Sequence, residues 1–248
     1  MKRMRIAVSA ITTEGQVKKV NEDSLTYKII EIDNEYYGVF AVADGVGGCK
    51  RGDVASNLAI RNIEEWWENN FRRNIDNIEI IIDSLIESFK KSNNELIALA
   101  ENYGGKIATT LSVLIIYKGI FYIVHIGDSR VYRYRGLFNG VLSQLTRDDS
   151  CIIEKNLNGN IIKKAVLTQC LGNKEQCRPF CKSEALQKND IFLLCSDGIY
   201  KTIKATELRT IIRRGKYDIK ELCEDLVKTA MDKGERDNIT AMVIKIVK

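Results

Sequence analysis

The chain has 248 residues, 45% of them apolar and 29% charged, with a single proline, a composition that excludes a disordered or fibrous protein. A formal charge of +5 is spread over 38 basic and 33 acidic residues, and no basic block carries aromatic platforms, so nucleic acid is not expected as a partner. No apolar run approaches the roughly 20 residues of a membrane helix, and none follows the basic start Met1-Lys2-Arg3, so neither a membrane span nor a signal peptide is expected. The seven cysteines are an odd number and read as reduced thiols in a cytoplasm. Cys177 and Cys181 form a CxxxC near Cys170, but no second pair or histidine stands at ligand spacing, so zinc is not expected.

Taken in chain order, Tyr36 to Val42 is an apolar run that ends in Asp44-Gly45-Val46-Gly47-Gly48, which reads as a buried strand leading into a glycine-rich turn. A helix is expected from about Asp53 to Phe71, with Ala59, Ile63, Trp66 and Trp67 at helical spacing and both tryptophans in the core. A longer helix is expected from about Ile75 to Tyr103, stopped by Gly104-Gly105. Ile107 to Tyr117 and Ile120 to Ile126 read as a hairpin turning at Lys118-Gly119, and Val131 to Arg135 as an alternating strand. Residues from Gly136 to Gly172 read as polar and irregular, with a weak helical signal near Ile152 to Leu157. Ile191 to Cys195 is a further buried strand, followed by helices near Thr206 to Arg214 and Asp218 to Met231 and a last strand from Ile239 to Val247. Strands grouped in hairpins between pairs of amphipathic helices predict an antiparallel α+β domain, a sheet or sheet pair between helical layers. No repeat or linker divides the chain, so one domain over 1–248 is expected.

The chemistry lies in five acidic turns: Asn21-Glu22-Asp23, Asp44-Gly45, Gly127-Asp128-Ser129-Arg130, Ser196-Asp197-Gly198 and Asp237-Asn238. A strand end fixes the backbone, and glycine lets it come close to a ligand. Carboxylates converging at strand ends would repel one another unless cations offset them. Hard oxygen donors with a single histidine in the chain suit Mg2+ or Mn2+ better than Zn2+.

These turns, taken with Ala108-Thr109-Thr110 and Leu167-Thr168-Gln169-Cys170-Leu171-Gly172, resemble the metal-dependent PP2C-type protein phosphatases, and more closely their compact bacterial members. The resemblance implies an antiparallel β-sandwich of two central sheets flanked by helical layers, with two or three Mn2+ or Mg2+ ions at one end. It implies Asp44 bridging two ions, the Gly45 carbonyl beside it, and Asp197 and Asp237 completing the first ion's shell. Asp23, or its neighbour Glu22, would serve the second ion, and Asp128 with Asp197 a third. Asn238 and Thr240 are expected behind the ligands or anchoring strands. The activity implied is hydrolysis of phosphoserine and phosphothreonine by a metal-held water, with Asp44, Asp197 and Asp237 central to catalysis. The partners implied are phosphoproteins and an opposing serine/threonine kinase, for a cytoplasmic protein acting as a monomer.

Several positions depart from the family pattern. Lys18 stands where an arginine usually grips the substrate phosphate, and lysine is a point charge without the planar fork. Val46 stands where some relatives carry a histidine. Asp148-Asp149-Ser150 replaces Asp-His-Ser at the start of a variable flap, about 148–164. His125, within an apolar strand, reads as a structural histidine. The competing reading is a catalytically weak or inactive module that captures phosphoproteins. Loss of a central aspartate would mark it, and every one is present.

Overall fold

The computed structural model describes residues 4–46, 49, 51–136, 139–157, 160–173 and 177–247. Gly47 and Gly48 of the glycine-rich turn, Met1 to Arg3 and flap residues 158 and 159 lie outside the described residues.

Twelve strands are described: β1 (Arg5–Thr13), β2 (Asp23–Ile32), β3 (Glu35–Asp44), β4 (Leu111–Tyr117), β5 (Ile120–Ile126), β6 (Arg130–Arg135), β7 (Val141–Gln144), β8 (Ser150–Leu157), β9 (Asn160–Leu167), β10 (Phe180–Ala185), β11 (Ile191–Cys195) and β12 (Ile239–Val247). The helices are α1 (Gly52–Trp66), α2 (Ile78–Tyr103), a single turn α3 (Asp197–Tyr200), α4 (Ala205–Gly215) and α5 (Ile219–Asp232). One sheet has the order β1-β12-β11-β6-β7 and the other β10-β5-β4-β3-β2, and every pairing is antiparallel.

The central strands are apolar on both faces because each face has its own cover. On β3, Val39 and Ala41 point to α1 and α2, where they meet Ala59, Ile63, Leu85 and Phe89. The alternate residues Phe40 and Val42 point to the other sheet and pack with Val131, Phe192, Leu194, Met242 and Ile244. The far face of that second sheet, with Leu193, Ala241 and Val243, is covered by Leu208, Ile212, Leu222 and Leu226 of α4 and α5. Burial on both faces erases the apolar–polar alternation of a one-faced strand, so these segments read as continuous apolar runs. The layering is the expected one: two sheets face to face, helices outside both.

Element boundaries follow local chemistry. The Asn77 side chain accepts from the backbone N–H groups of Glu79 (3.0 Å) and Ile80 (3.2 Å), so α2 starts at Ile78 and not at Ile75. The first helix is α only to Trp66 and closes with a short π turn, Trp67–Phe71, that stacks Trp67 on Phe71 at 4.2 Å between ring centres. Trp66 and Trp67 are both core residues.

The flap departs from the expectation of an irregular, weakly helical segment: β8 and β9 form a separate two-stranded antiparallel sheet. β-branched runs on both sides of Asn158-Gly159 carried that hairpin signal, and it outweighs the helical one. The sequence reading also missed β1, β2, β7 and β10, whose partly exposed residues give no strong apolar pattern.

Candidate metal centre

The acidic turns meet at one end of the sandwich. The pairing of β2 with β3 sets Asp23 directly opposite Asp44. Asp128 sits in the turn between β5 and β6, Asp197 where β11 breaks into α3, and Asp237 just before β12. Asp44, Gly45, Val46, Thr110, Asp128, Asp197, Lys201 and Asp237 line one cleft of about 250 Å3, and Ala165, Val166 and Leu167 of the flap hairpin form its edge.

Two glycines allow this convergence. A Cβ on Gly45 would lie 2.5 Å from the backbone of Gly52, so only glycine lets the Asp44 turn lie against the start of α1. A Cβ on Gly198 would lie 2.2 Å from the Asn238 carbonyl oxygen. That close approach brings the turn bearing Asp197 against the segment bearing Asp237.

Hydrogen bonds fix the supporting frame. Buried Asp23 accepts from the Ser196 and Thr240 hydroxyls, both at 2.7 Å on Oδ2, and so ties β2 to β11 and β12 beneath the cleft. Asn238 uses its side chain on backbone: Oδ1 accepts from Glu22 N–H (3.0 Å), and Nδ2 donates to the carbonyls of Glu14 (3.2 Å) and Val20 (3.0 Å). Its role is to anchor the Lys18–Glu22 loop. The Asp44 N–H donates to the Thr110 hydroxyl (3.0 Å), which in turn meets the Ser129 hydroxyl at 2.7 Å. Asp149 accepts from Gly127 N–H (3.0 Å) and locks the flap root to the turn carrying Asp128. His125 is buried, with Ser112 Oγ at 2.8 Å and the Gly127 and Arg147 carbonyls at 3.0 and 3.2 Å. Burial depresses its pKa, and its partners are those of a structural residue.

The electrostatics are those of a site short of positive charge. Burial, with Asp23, Asp197, Asp128 and Asp237 around it, pushes the Asp44 carboxyl well above the usual range. Asp23 rises to about 6, through burial first and then the charges of Asp197 and Asp237. Asp128 also rises to about 6, through burial and Asp197, although Lys201 opposes the rise. Burial and Asp237 raise Asp197 too, against Lys201. Lys201 bonds to Asp197 Oδ2, while Lys18 Nζ lies 3.1 Å from Asp237 Oδ1 and 3.5 Å from Glu22 Oε2.

The donor set is all oxygen: carboxylates, the Gly45 carbonyl and hydroxyls. Among the described residues no three His, Cys, Asp or Glu side chains form a ready-made metal-binding group. Mg2+ keeps several waters and binds through only one or two carboxylates, so spaced carboxylates lining a wet cleft fit hydrated Mg2+ or Mn2+. The three cysteines Cys170, Cys177 and Cys181 are all free thiols.

The raised carboxyls have a measurable consequence. A folded-state pKa above the unfolded value means that the folded protein binds protons more tightly, so its stability is full at low pH and falls as pH rises through about 6. Depressed His125 acts in the opposite sense, costing stability as pH falls. Metal-free protein should therefore lose more thermal stability between pH 5 and 7 than an Asp44→Asn variant, since His125 contributes equally to both. Scanning calorimetry in chelator checks this, and equal losses would contradict the electrostatic account.

A model of the family Protein phosphatase 2C matches residues 14–243. The chain belongs to the protein phosphatase 2C family. It is 30% identical over 244 residues to the serine/threonine phosphatase stp of Listeria monocytogenes, covering 94% of this chain and 93% of the relative. Among solved structures, PppA of Pseudomonas aeruginosa, described as a key regulatory component of its T6SS, superposes with a TM-score of 0.75 at 27% identity, covering 99% of this chain and 98% of that one. The catalytic domain of PstP, solved with two manganese ions, superposes with a TM-score of 0.76 at 23% identity, over 99% of this chain and 100% of that one. The PP2C domain here keeps each acidic turn that carried the resemblance. Sequence reasoning passed over Lys201, which reads as an ordinary charged helix residue, and noted Thr110 only as part of a motif. It noted Asp148 only as a flap departure, whereas that carboxylate accepts from the Arg130 guanidinium, from Nε at 3.0 and 3.2 Å and from Nη2 at 2.7 Å. No helix among the described residues is long and apolar enough to cross a membrane.

Proposed function

We propose that this chain hydrolyses phosphoserine and phosphothreonine on proteins, using a pair of Mn2+ or Mg2+ ions held in the aspartate cleft. The observation that carries the reading is a cleft lined by the Asp44, Asp128, Asp197 and Asp237 carboxylates with buried Asp23 beneath it, an all-oxygen donor set in which burial and neighbouring acids raise the pKa of Asp23, Asp44, Asp128 and Asp197. The names of the relatives support the same substrate class.

Asp44, the Gly45 carbonyl, Asp197 and Asp237 would hold the ions, with Glu22 at the margin and Asp23 bracing the floor through Ser196 and Thr240. When bound, the ions supply an activated water and offset the charge on the phosphoryl oxygens. Val46 at the cleft lip offers no proton, so the departing serine or threonine oxygen takes its proton from water, and poor leaving groups react slowest. Lys18, freed from Asp237 once the carboxylates are neutralised, faces the substrate phosphate from the loop that Asn238 anchors. The chain is taken to act as a cytoplasmic monomer opposing a serine/threonine kinase. The capture-module reading has no observation in its favour.

Lys18 gives a graded test. Lys18→Ala should raise KM for a phosphothreonine peptide about tenfold with little change in kcat, and Lys18→Arg should lower KM through its two-bond fork. A raised KM in Lys18→Arg would remove Lys18 from phosphate binding. The reaction itself is tested by single-turnover hydrolysis of phosphoserine and phosphothreonine peptides in 18O water. One labelled oxygen in the released phosphate is expected, and a phosphorylated protein intermediate would overturn the direct attack of water.

A further inference from the structure

Two ammonium groups reach the acidic cleft, and they serve opposite ends of it. Lys18 lies on Asp237 and Glu22. Lys201 lies on Asp197, on the side of the cleft that Asp128 also lines. We propose that the Lys201 ammonium is a built-in cation that holds the Asp128–Asp197 side of the cleft in place of a divalent ion, so that the protein loads two ions, not three. The inference rests on the metal-centre reading above.

The geometry of the α3 turn carries it. Lys201 is four residues after Asp197, so one helical turn places its side chain over that carboxylate. Both neighbours of Lys201 are pinned. The Tyr200 ring lies under the Arg130 guanidinium at 3.5 Å, and Arg130 is itself fixed on Asp148 and on the Tyr132 hydroxyl at 2.8 Å. On the other side, Thr202 Oγ1 donates to Glu235 Oε2 at 3.0 Å, which ties the turn to the segment leading into Asp237. The backbone therefore presents the Lys201 side chain from a fixed base, although the chain itself is half exposed. Its charge is felt by Asp128 and Asp44 as well as by Asp197.

The chemistry is selective. A divalent ion entering between Asp128 and Asp197 would meet the Lys201 ammonium on the Asp197 carboxylate, presented from a fixed backbone, and would have to displace it. Asp197 keeps its second carboxylate oxygen for an ion on the Asp44 side, so Lys201 removes one site without removing the other. On the other side Lys18 reaches Asp237 from the loop before β2, and among the described residues no lysine bonds to Asp44.

Manganese bound per chain, measured by native mass spectrometry and equilibrium dialysis at pH 7.5, tests this on the full chain. Wild type should hold two ions, and Asp128→Asn should still hold two. Lys201→Asn should gain a third, which the double variant with Asp128→Asn should lose. Lys201→Met, which removes the charge but supplies no hard ligand, should take up the third ion at least about tenfold more weakly than Lys201→Asn. A third ion in wild type that Asp128→Asn removes would overturn the inference while leaving the metal centre standing, as would Lys201→Asn remaining at two. No manganese bound to wild type would overturn both.

Discussion

Asp44→Asn should reduce phosphate release from a phosphothreonine peptide by about 1,000-fold or more, and at the same time make the metal-free protein more stable. Both effects have one cause. Asp44 is buried and surrounded by four other acids, and its carboxyl is raised well above the usual range. Without ions it is a liability, because its charge is repelled from every side; an amide of the same shape keeps its place and ends the repulsion. With ions its charge would help to hold them in the cleft, and an amide oxygen carries no charge to do so. A 1,000-fold loss corresponds to about 4 kcal/mol of barrier, within what a metal ion contributes to charge stabilisation. The melting temperature in chelator should rise by roughly 5 °C, and addition of Mn2+ should stabilise wild type but not the variant. Calorimetry with and without Mn2+ separates the two effects. A variant that loses activity and also loses stability in chelator would indicate a structural role for Asp44.

Gly198→Ala is expected to be severely damaging for the addition of a single methyl group. The added Cβ would lie 2.2 Å from the Asn238 carbonyl oxygen and 3.3 Å from the Ile239 Cα, both backbone, so no side-chain rotation relieves it. Either α3 or the start of β12 must move. The cost should be about 3 kcal/mol, or roughly 6–12 °C in melting temperature for a chain of this size. The movement also separates Asp197 from Asp237, so manganese affinity should fall more than stability alone explains. Denaturant unfolding at fixed pH together with a manganese titration checks both quantities. Unchanged affinity alongside lost stability would show that the close approach serves packing only.

The fold was legible wherever burial was complete. The runs read at Tyr36–Val42, Ile107–Tyr117, Ile120–Ile126 and Ile191–Cys195 are strands covered on both faces, the second starting only at Leu111, and Gly104 and Lys118-Gly119 ended their elements as read. β1 escaped because it lies at a sheet edge with none of its residues fully buried, and β8–β9 because the two strands pair only with each other. The candidate site was legible as residue types at strand ends. What a linear sequence cannot show is distance, such as that β2 and β3 set Asp23 against Asp44, or that the carboxylates leave room for hydrated ions in place of closing on one point. Lys201 was invisible for the same reason: a lysine four residues after an aspartate is ordinary on a helix surface, and only the cleft around it makes it part of the site.

The most direct test of the account is phosphate release from a phosphothreonine peptide by chelator-treated protein, followed as Mn2+ and then Mg2+ are added back, with Asp44→Asn beside it. The account predicts no release in chelator, recovery with either ion, and no recovery in the variant. Release that persists in excess chelator, or that Asp44→Asn retains in full, would contradict it, because the aspartate cleft would then not be where the reaction takes place.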